Sequence, residues 1–341
     1  MRLFLAAAHL LILPLPGRSQ TAPPSFQLGG VVFRPSGFLE NIAEFRTATT
    51  PDTVSTKFGA IPLGNSSGQM LDSLRHSRLG LDANRGALTG YLEIDFLNSP
   101  EKQPLRWRQY WGEFSLGNWR ILGGQAWSLL RPNRTGTSSE SGLMNTLAVD
   151  PAYHVGLVGL RKRQVRVTRQ LGAWQVVVAY EYQKGGDLLA KVVRDSRRMH
   201  LEAVSLAGHG RRLGGSLAGV LHASQRVNIV SQQSWLQGAG PEALNTLPPR
   251  VHASTTLEGV EANVLKSLTL FAYGGLVYGT RSTGNRTVRE WSAGFHQQLF
   301  RRPSYGTAVL AGQYSQIDRA LWTGPSGAMN LVMLSLRYSV R

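Results

Sequence analysis

Residues 75–129 read RHSRLGLDANRGALTGYLEIDFLNSPEKQPLRWRQYWGEFSLGNWRILGGQAWSL. Leu88, Gly90, Leu92, Ile94 and Phe96 share one parity, and Thr89, Tyr91, Glu93 and Asp95 share the other. This is the period of a strand with one apolar and one polar face. The flanking segments alternate likewise around turn signals at 84–86 and 117–118, so the stretch reads as consecutive strands in antiparallel hairpins. Pairing about 84–86 puts Arg78 opposite Glu93 and His76 opposite Asp95. Across the 97–104 connection it puts Glu93 opposite Arg108 and Asp95 opposite Arg106. Cross-strand neighbours lie about 5 Å apart, so the polar face carries a ladder of cation, anion and cation. A solvated face of a soluble sheet would show the same alternation, and the choice between them comes from the rest of the chain.

The chain has 341 residues and opens with MRLFLAAAHLLILPLPGRS. A single Arg2 precedes an apolar run, and small residues follow at Gly17 and Ser19. This is the pattern of a secretory signal peptide over residues 1–19, too short to span a bilayer as a helix. Residues 20–26 then form a short arm, and 27–341 a single domain. There is no cysteine, so neither disulfides nor thiolate chemistry contribute. Lys and Arg number 37 against 20 Asp and Glu, a net charge of +17. The cations are scattered through strands and loops, which suits an electropositive cavity better than a nucleic-acid surface, for which neither a recognition helix nor stacking aromatics beside a basic stripe are present. Mean hydropathy is −0.15, low for a helical membrane protein but compatible with a barrel whose polar lumen offsets its apolar exterior.

Tight turns at 84–86, 117–118, 172–173, 208–212, 266–267 and 301–304 alternate with longer loops, the asymmetry of outer-membrane barrels. The segments 184–198 and 220–250 read as polar loops, which gives about 14 strands; splitting 27–46 or 220–250 raises the count toward 16. The expected fold is therefore all-β, a transmembrane antiparallel β-barrel of 14–16 strands. Aromatic residues near the strand ends, among them Trp107, Trp119, Trp174, Tyr182 and Phe271, suit interfacial girdles.

The motifs Ser77-Arg78-Leu79-Gly80, Gly90-Tyr91-Leu92-Glu93-Ile94-Asp95-Phe96, Leu105-Arg106-Trp107-Arg108-Gln109-Tyr110 and Gly124-Gln125-Ala126-Trp127-Ser128 resemble, in order and spacing, the DcaP-like porin family. The resemblance is specific over about 75–183 and architectural beyond. It implies a homotrimeric 16-stranded outer-membrane barrel that passes small, mainly anionic solutes, with Arg78, Glu93, Asp95, Arg106 and Arg108 lining the lumen. Three residues, Ser339, Val340 and Arg341, follow the closing aromatic Tyr338, a departure from barrels that end on an aromatic.

The function expected is passive diffusion of hydrophilic, preferentially anionic solutes, with rings of Arg setting the selectivity. The partners expected are outer-membrane lipid, lipopolysaccharide and the solutes, without nucleic acid, metal or cofactor. The connection 131–160 is the candidate for an inward loop that brings Arg131 and Arg134 to a basic wall of Arg106, Arg108 and Arg166. Two alternatives stay open. A barrel enzyme such as a lipid hydrolase needs a Ser nucleophile beside a His base, and the histidines are scattered singly. A plugged adhesion or surface-structural barrel needs a neutralised interior.

Overall fold

The computed structural model describes residues 25–50, 58–64, 66–96, 105–134, 137, 146–150, 154–182, 185–243, 251–280, 284–302 and 306–340. The expected leader and most of the arm lie outside these residues. Eighteen strand segments follow one another: β1 (Phe26–Leu28), β2 (Val31–Arg46), β3 (Gln69–Ser73), β4 (Arg78–Arg85), β5 (Leu88–Asp95), β6 (Arg106–Leu116), β7 (Trp119–Trp127), β8 (Arg161–Leu171) and β9 (Trp174–Tyr182), then β10 (Asp187–Asp195), β11 (Met199–Gly208), β12 (Arg212–His222), β13 (Val227–Gln237), β14 (Ala253–Leu265), β15 (Leu268–Gly279), β16 (Asn285–Arg302), β17 (Gly306–Leu321) and β18 (Ser326–Ser339). Each segment from β4 onward pairs antiparallel with the next, and β18 pairs back onto β2, from Leu331 opposite Arg46 to Ser339 opposite Phe38. The ring is closed.

β3 and β4 both pair with β2, one with its end and one with its beginning, and so make one strand interrupted at 74–77. β1 folds back on the first residues of β2 as a short hairpin. The result is a 16-stranded barrel. Two of these strands, β10 and β13, occupy segments that read as loops in the sequence. β10 carries Asp187, Lys191 and Arg194, and its charges mask an alternation in which Asp187, Leu189, Lys191 and Val193 point inward. β13 is polar on both faces, with Gln232 and Ser234 inside and Ser231 and Gln233 outside. Backbone pairing holds both in place whatever their side chains prefer. These strands supply the difference between 14 and 16. They also move the 209–211 turn to the same end of the barrel as the long loops, whereas the turns at 196–198 and 223–226 join the tight turns at the other end.

The burial pattern is the reverse of a soluble protein's. On β8 the buried residues are Lys162, Gln164, Arg166 and Thr168, while Val165 and Val167 are exposed. On β9 the exposed row is Trp174, Val176, Val178, Tyr180 and Tyr182. Apolar residues thus coat the outside, as they must if the surrounding medium is hydrocarbon. Trp107, Trp119 and Trp174 are outward as expected; Phe271 instead points inward and packs on Tyr273 at a ring separation of 5.4 Å.

This face assignment has a direct consequence. Val178→Arg, on the outer face of β9, is expected to destabilise the barrel by about 2–4 kcal/mol if it meets the bilayer midplane. Denaturant titration of protein folded into lipid vesicles measures it, and no loss of stability would mean the face is not in lipid.

Candidate pore lining and inward loop

The basic ladder forms on the inner face of β4, β5 and β6. Asp95 accepts two hydrogen bonds from Arg106, Nε at 2.9 Å and Nη2 at 2.6 Å, and a further short one from Arg108. Glu93 accepts from Arg108 Nε at 2.9 Å, and Arg78 Nη1 lies 3.7 Å from its other oxygen. Tyr91 donates to Glu93 at 3.2 Å. The chain Arg78–Glu93–Arg108–Asp95–Arg106 is therefore continuous.

The register that builds it differs from the sequence expectation. Arg78 stands opposite Asp95, not Glu93, because the turn falls at 86–87. His76 lies in the interruption between β3 and β4 and faces Asp150 at 3.8 Å. Asp95 is opposite Arg106 as expected, but a bulge sets Glu93 opposite Gln109 in place of Arg108. The extra residue buries Arg108 and Gln109 consecutively. The contacts survive because long guanidinium arms reach diagonal neighbours as well as direct ones.

The ladder extends onto strands that the sequence reading did not connect to it. Arg337 on β18 stands opposite Glu40 on β2 and binds it through Nε at 3.0 Å and Nη2 at 2.7 Å. Phe38 receives Arg78 and Arg337 over its ring, at 5.0 and 4.5 Å from the centroid. Only closure makes Glu40 and Arg337 neighbours, so no local signal could reveal them.

Within these pairs burial is unequal. The Asp95, Glu93 and Glu40 side chains are 0%, 2% and 2% exposed, whereas Arg106, Arg78 and Arg337 are 29%, 14% and 30% exposed. The carboxylates are held behind the cations against the wall.

The connection between β7 and β8 folds inward. Its backbone amides are bound by side chains of the wall: Leu129 N donates to Glu181 at 2.8 Å, Asn133 N to Glu202 at 3.2 Å, Leu147 N to Tyr273 Oη at 2.7 Å, Val149 N to Gln313 at 2.8 Å and Val155 N to Glu290 at 2.8 Å. These anchors lie on β9, β11, β15, β17 and β16, so the loop crosses the interior. Such bonds satisfy buried loop amides that would otherwise cost about 1–3 kcal/mol each.

Three further cations expected near Arg106 and Arg108 make contacts with the loop and with other strands. Arg131 donates to Val158 O at 3.4 Å and lies over Trp127 at 5.3 Å. Arg134 binds Glu261 on β14 through both nitrogens of its fork, one at 2.8 Å. Arg166 is buried and donates to Thr137 O at 2.9 Å and Trp127 O at 2.8 Å. Arg131 and Arg166 clamp the base of the loop, and Arg134 ties it to the wall away from the ladder. The length of the loop was readable in sequence, but its path was not.

A histidine and a serine do meet, at a place that sequence spacing could not announce. His154 Nε2 lies 2.9 Å from Ser292 Oγ, with Glu290 3.7 Å from Nδ1. Both His154 and Ser292 are only 1% exposed, and His154 Nδ1 is bonded to Val155 O at 2.9 Å. The cluster is buried and ties the loop to β16. Among the described residues, no group of three metal-ligating side chains is found.

No protein-family model and no curated protein sequence matches the chain. Solved structures do. The outer membrane channel DcaP of Acinetobacter baumannii superposes with a TM-score of 0.76 at 18% identity, over 92% of this chain and 99% of that one. An anion-selective porin from Comamonas acidovorans gives 0.65 at 12%, over 91% and 99%. A trimer form of OmpT, an outer membrane protein of Vibrio cholerae, gives 0.59 at 11%, over 91% and 99%. The fold is that of an outer-membrane porin. The sequence resemblance to DcaP-like porins and the structural likeness to DcaP agree.

Within this porin fold the loop requires a close approach to β15. A Cβ at Gly275 would overlap the Val155 carbonyl. Gly275→Val is therefore expected to lift the loop while the barrel still forms. Limited proteolysis within 128–160 should speed up at unchanged heat-modifiable migration, and unaltered cleavage would place the loop elsewhere.

Proposed function

We propose that the protein is a passive, anion-preferring channel of the bacterial outer membrane, built as a homotrimer, with lipid and lipopolysaccharide around it. The observation that carries the preference is the unequal burial within the ion pairs: guanidinium groups of Arg337, Arg78 and Arg106 are partly exposed, while Glu40, Glu93 and Asp95 are covered. Pairing cancels charge in number but not in position. A permeating ion meets the cation first, and a row of such groups attracts anions while the low-dielectric wall limits screening. Asp95 and Glu40 hold the forks of Arg106 and Arg337 through two nitrogens each, and such two-point pairs hold orientation as well as charge. Individual pairs at a wet surface add little stability, so their role is positional.

Loop anchors on β9, β11, β14 and β15 lie on strands away from β2–β6, while Val149 and Asp150 farther along the loop reach β17 and His76 near the seam. This supports a lumen narrowed by the loop, with the solute path beside the ladder. In this arrangement Arg78, Arg106 and Arg337 face the path, with Arg108 behind them. Arg131, Arg134 and Arg166 act on the loop.

Arg106→Glu combined with Arg108→Glu is expected to move the reversal potential in a planar bilayer under a salt gradient from the anion side toward the cation side. Arg337→Gln alone should weaken the anion preference without reversing it. Unchanged selectivity in both would mean that these side chains do not face the permeating ions.

A further inference from the structure

Outside the lumen, the end of the barrel with tight turns carries a built feature on its lipid-facing wall. Arg194 on β10 stands opposite Trp174 on β9, and its guanidinium carbon lies 5.2 Å from the indole ring. From this pair a groove of about 690 Å³ runs along the outer wall across β9–β13. Its floor is shallow where Ala203 and Gly219 present little or no side chain, and Leu201, Leu221 and Ile229 form its sides. The turn at 196–198 adds exposed Arg197 and Arg198 beside the same end. Ser196 Oγ accepts from Met199 N at 3.1 Å and fixes that turn. Three acids stand at the groove: Asp195 is engaged by His200 Nδ1 at 2.5 Å, Glu202 lines it and pairs with Lys191 at 2.8 Å, and Glu258, away from the Arg194 end, accepts from the lining Ser231 at 2.9 Å.

An apolar trough with cations at one end has the polarity of a single phospholipid molecule. We propose that this groove binds one anionic phospholipid of the periplasmic leaflet, its acyl chain along the trough and its phosphate on Arg194. A guanidinium matches phosphate oxygens in a planar fork, and a tryptophan at the interface presents both an apolar body and a polar edge. Arg197 and Arg198 favour a headgroup with net negative charge over a zwitterionic one. The inference rests on the outer-membrane reading, with tight turns toward the periplasm.

The same rim holds a second pair, Trp119 with Arg169 over its ring at 4.9 Å, which separates a site from a general belt of interfacial aromatics. Native mass spectrometry of delipidated protein titrated with phosphatidylglycerol or phosphatidylcholine tests the assignment. The expected result is saturable retention of one phosphatidylglycerol per chain. Arg194→Gln should weaken it about tenfold, as loss of a charge-assisted contact would. Ala203→Phe, which fills the trough and leaves every charge in place, should weaken it comparably, and Arg169→Gln should leave it unchanged. Equal retention of phosphatidylcholine, equal weakening by Arg169→Gln, or no effect of Arg194→Gln and Ala203→Phe would overturn the proposal. Bilayer conductance of the same samples keeps the two readings apart. A non-conducting protein that retains phosphatidylglycerol at this groove supports the lipid site and counts against the channel.

Discussion

In hydrocarbon, a backbone amide or carbonyl without a partner costs several kcal/mol, so a sheet can sit there only if it has no edge. The pairing of β18 with β2 meets that demand, and much of the remaining structure depends on it. Closure brings Arg337 to Glu40 and so carries the basic ladder past the seam. It also recruits β10 and β13, whose side chains argue weakly for strands, because a gap at either position would expose two edges. The barrel tolerates a local interruption at 74–77 because β2 is long enough to pair with a strand on each side of the break.

A second constraint follows from filling a wide ring with polar side chains. Buried charge is costly unless paired and hydrogen-bonded, and the interior meets this in two ways. On β4–β6 the acids are paired with arginines that keep a wet side. Elsewhere Glu181, Glu202 and Glu290 accept amides from the inward loop, so one set of bonds satisfies both the carboxylates and an irregular backbone. The Glu290–His154–Ser292 cluster belongs to this second arrangement. Its members are buried and join the loop to β16.

Much of the fold was legible along the chain. Period two over 88–96 and the hairpin turns at 117–118 and 172–173 each depend on residues close in sequence, which is where strand periodicity and turn chemistry are encoded. The failures were also local. Asp187, Lys191 and Arg194 made β10 look like a loop, and Ser231 to Gln233 did the same for β13, because a strand between polar lumen and mixed exterior need not alternate cleanly. The ladder was legible as residue types and only roughly as register, since one bulge and the position of one turn shift partners without moving the charges off the face.

What the sequence by itself determined is the strand-and-turn grammar, the inward face of each regular strand, and the gathering of Arg78, Glu93, Asp95, Arg106 and Arg108 on one face. These follow from backbone geometry within a hairpin. Tertiary structure alone decided which distant strands meet and where the 128–160 connection runs. It placed Arg134 on Glu261, Arg166 under Thr137, and Arg337 beside Phe38 and Glu40. The physical reason is that these contacts join residues far apart in the chain, so their energies exist only after the ring has closed and given each side chain a wall to reach.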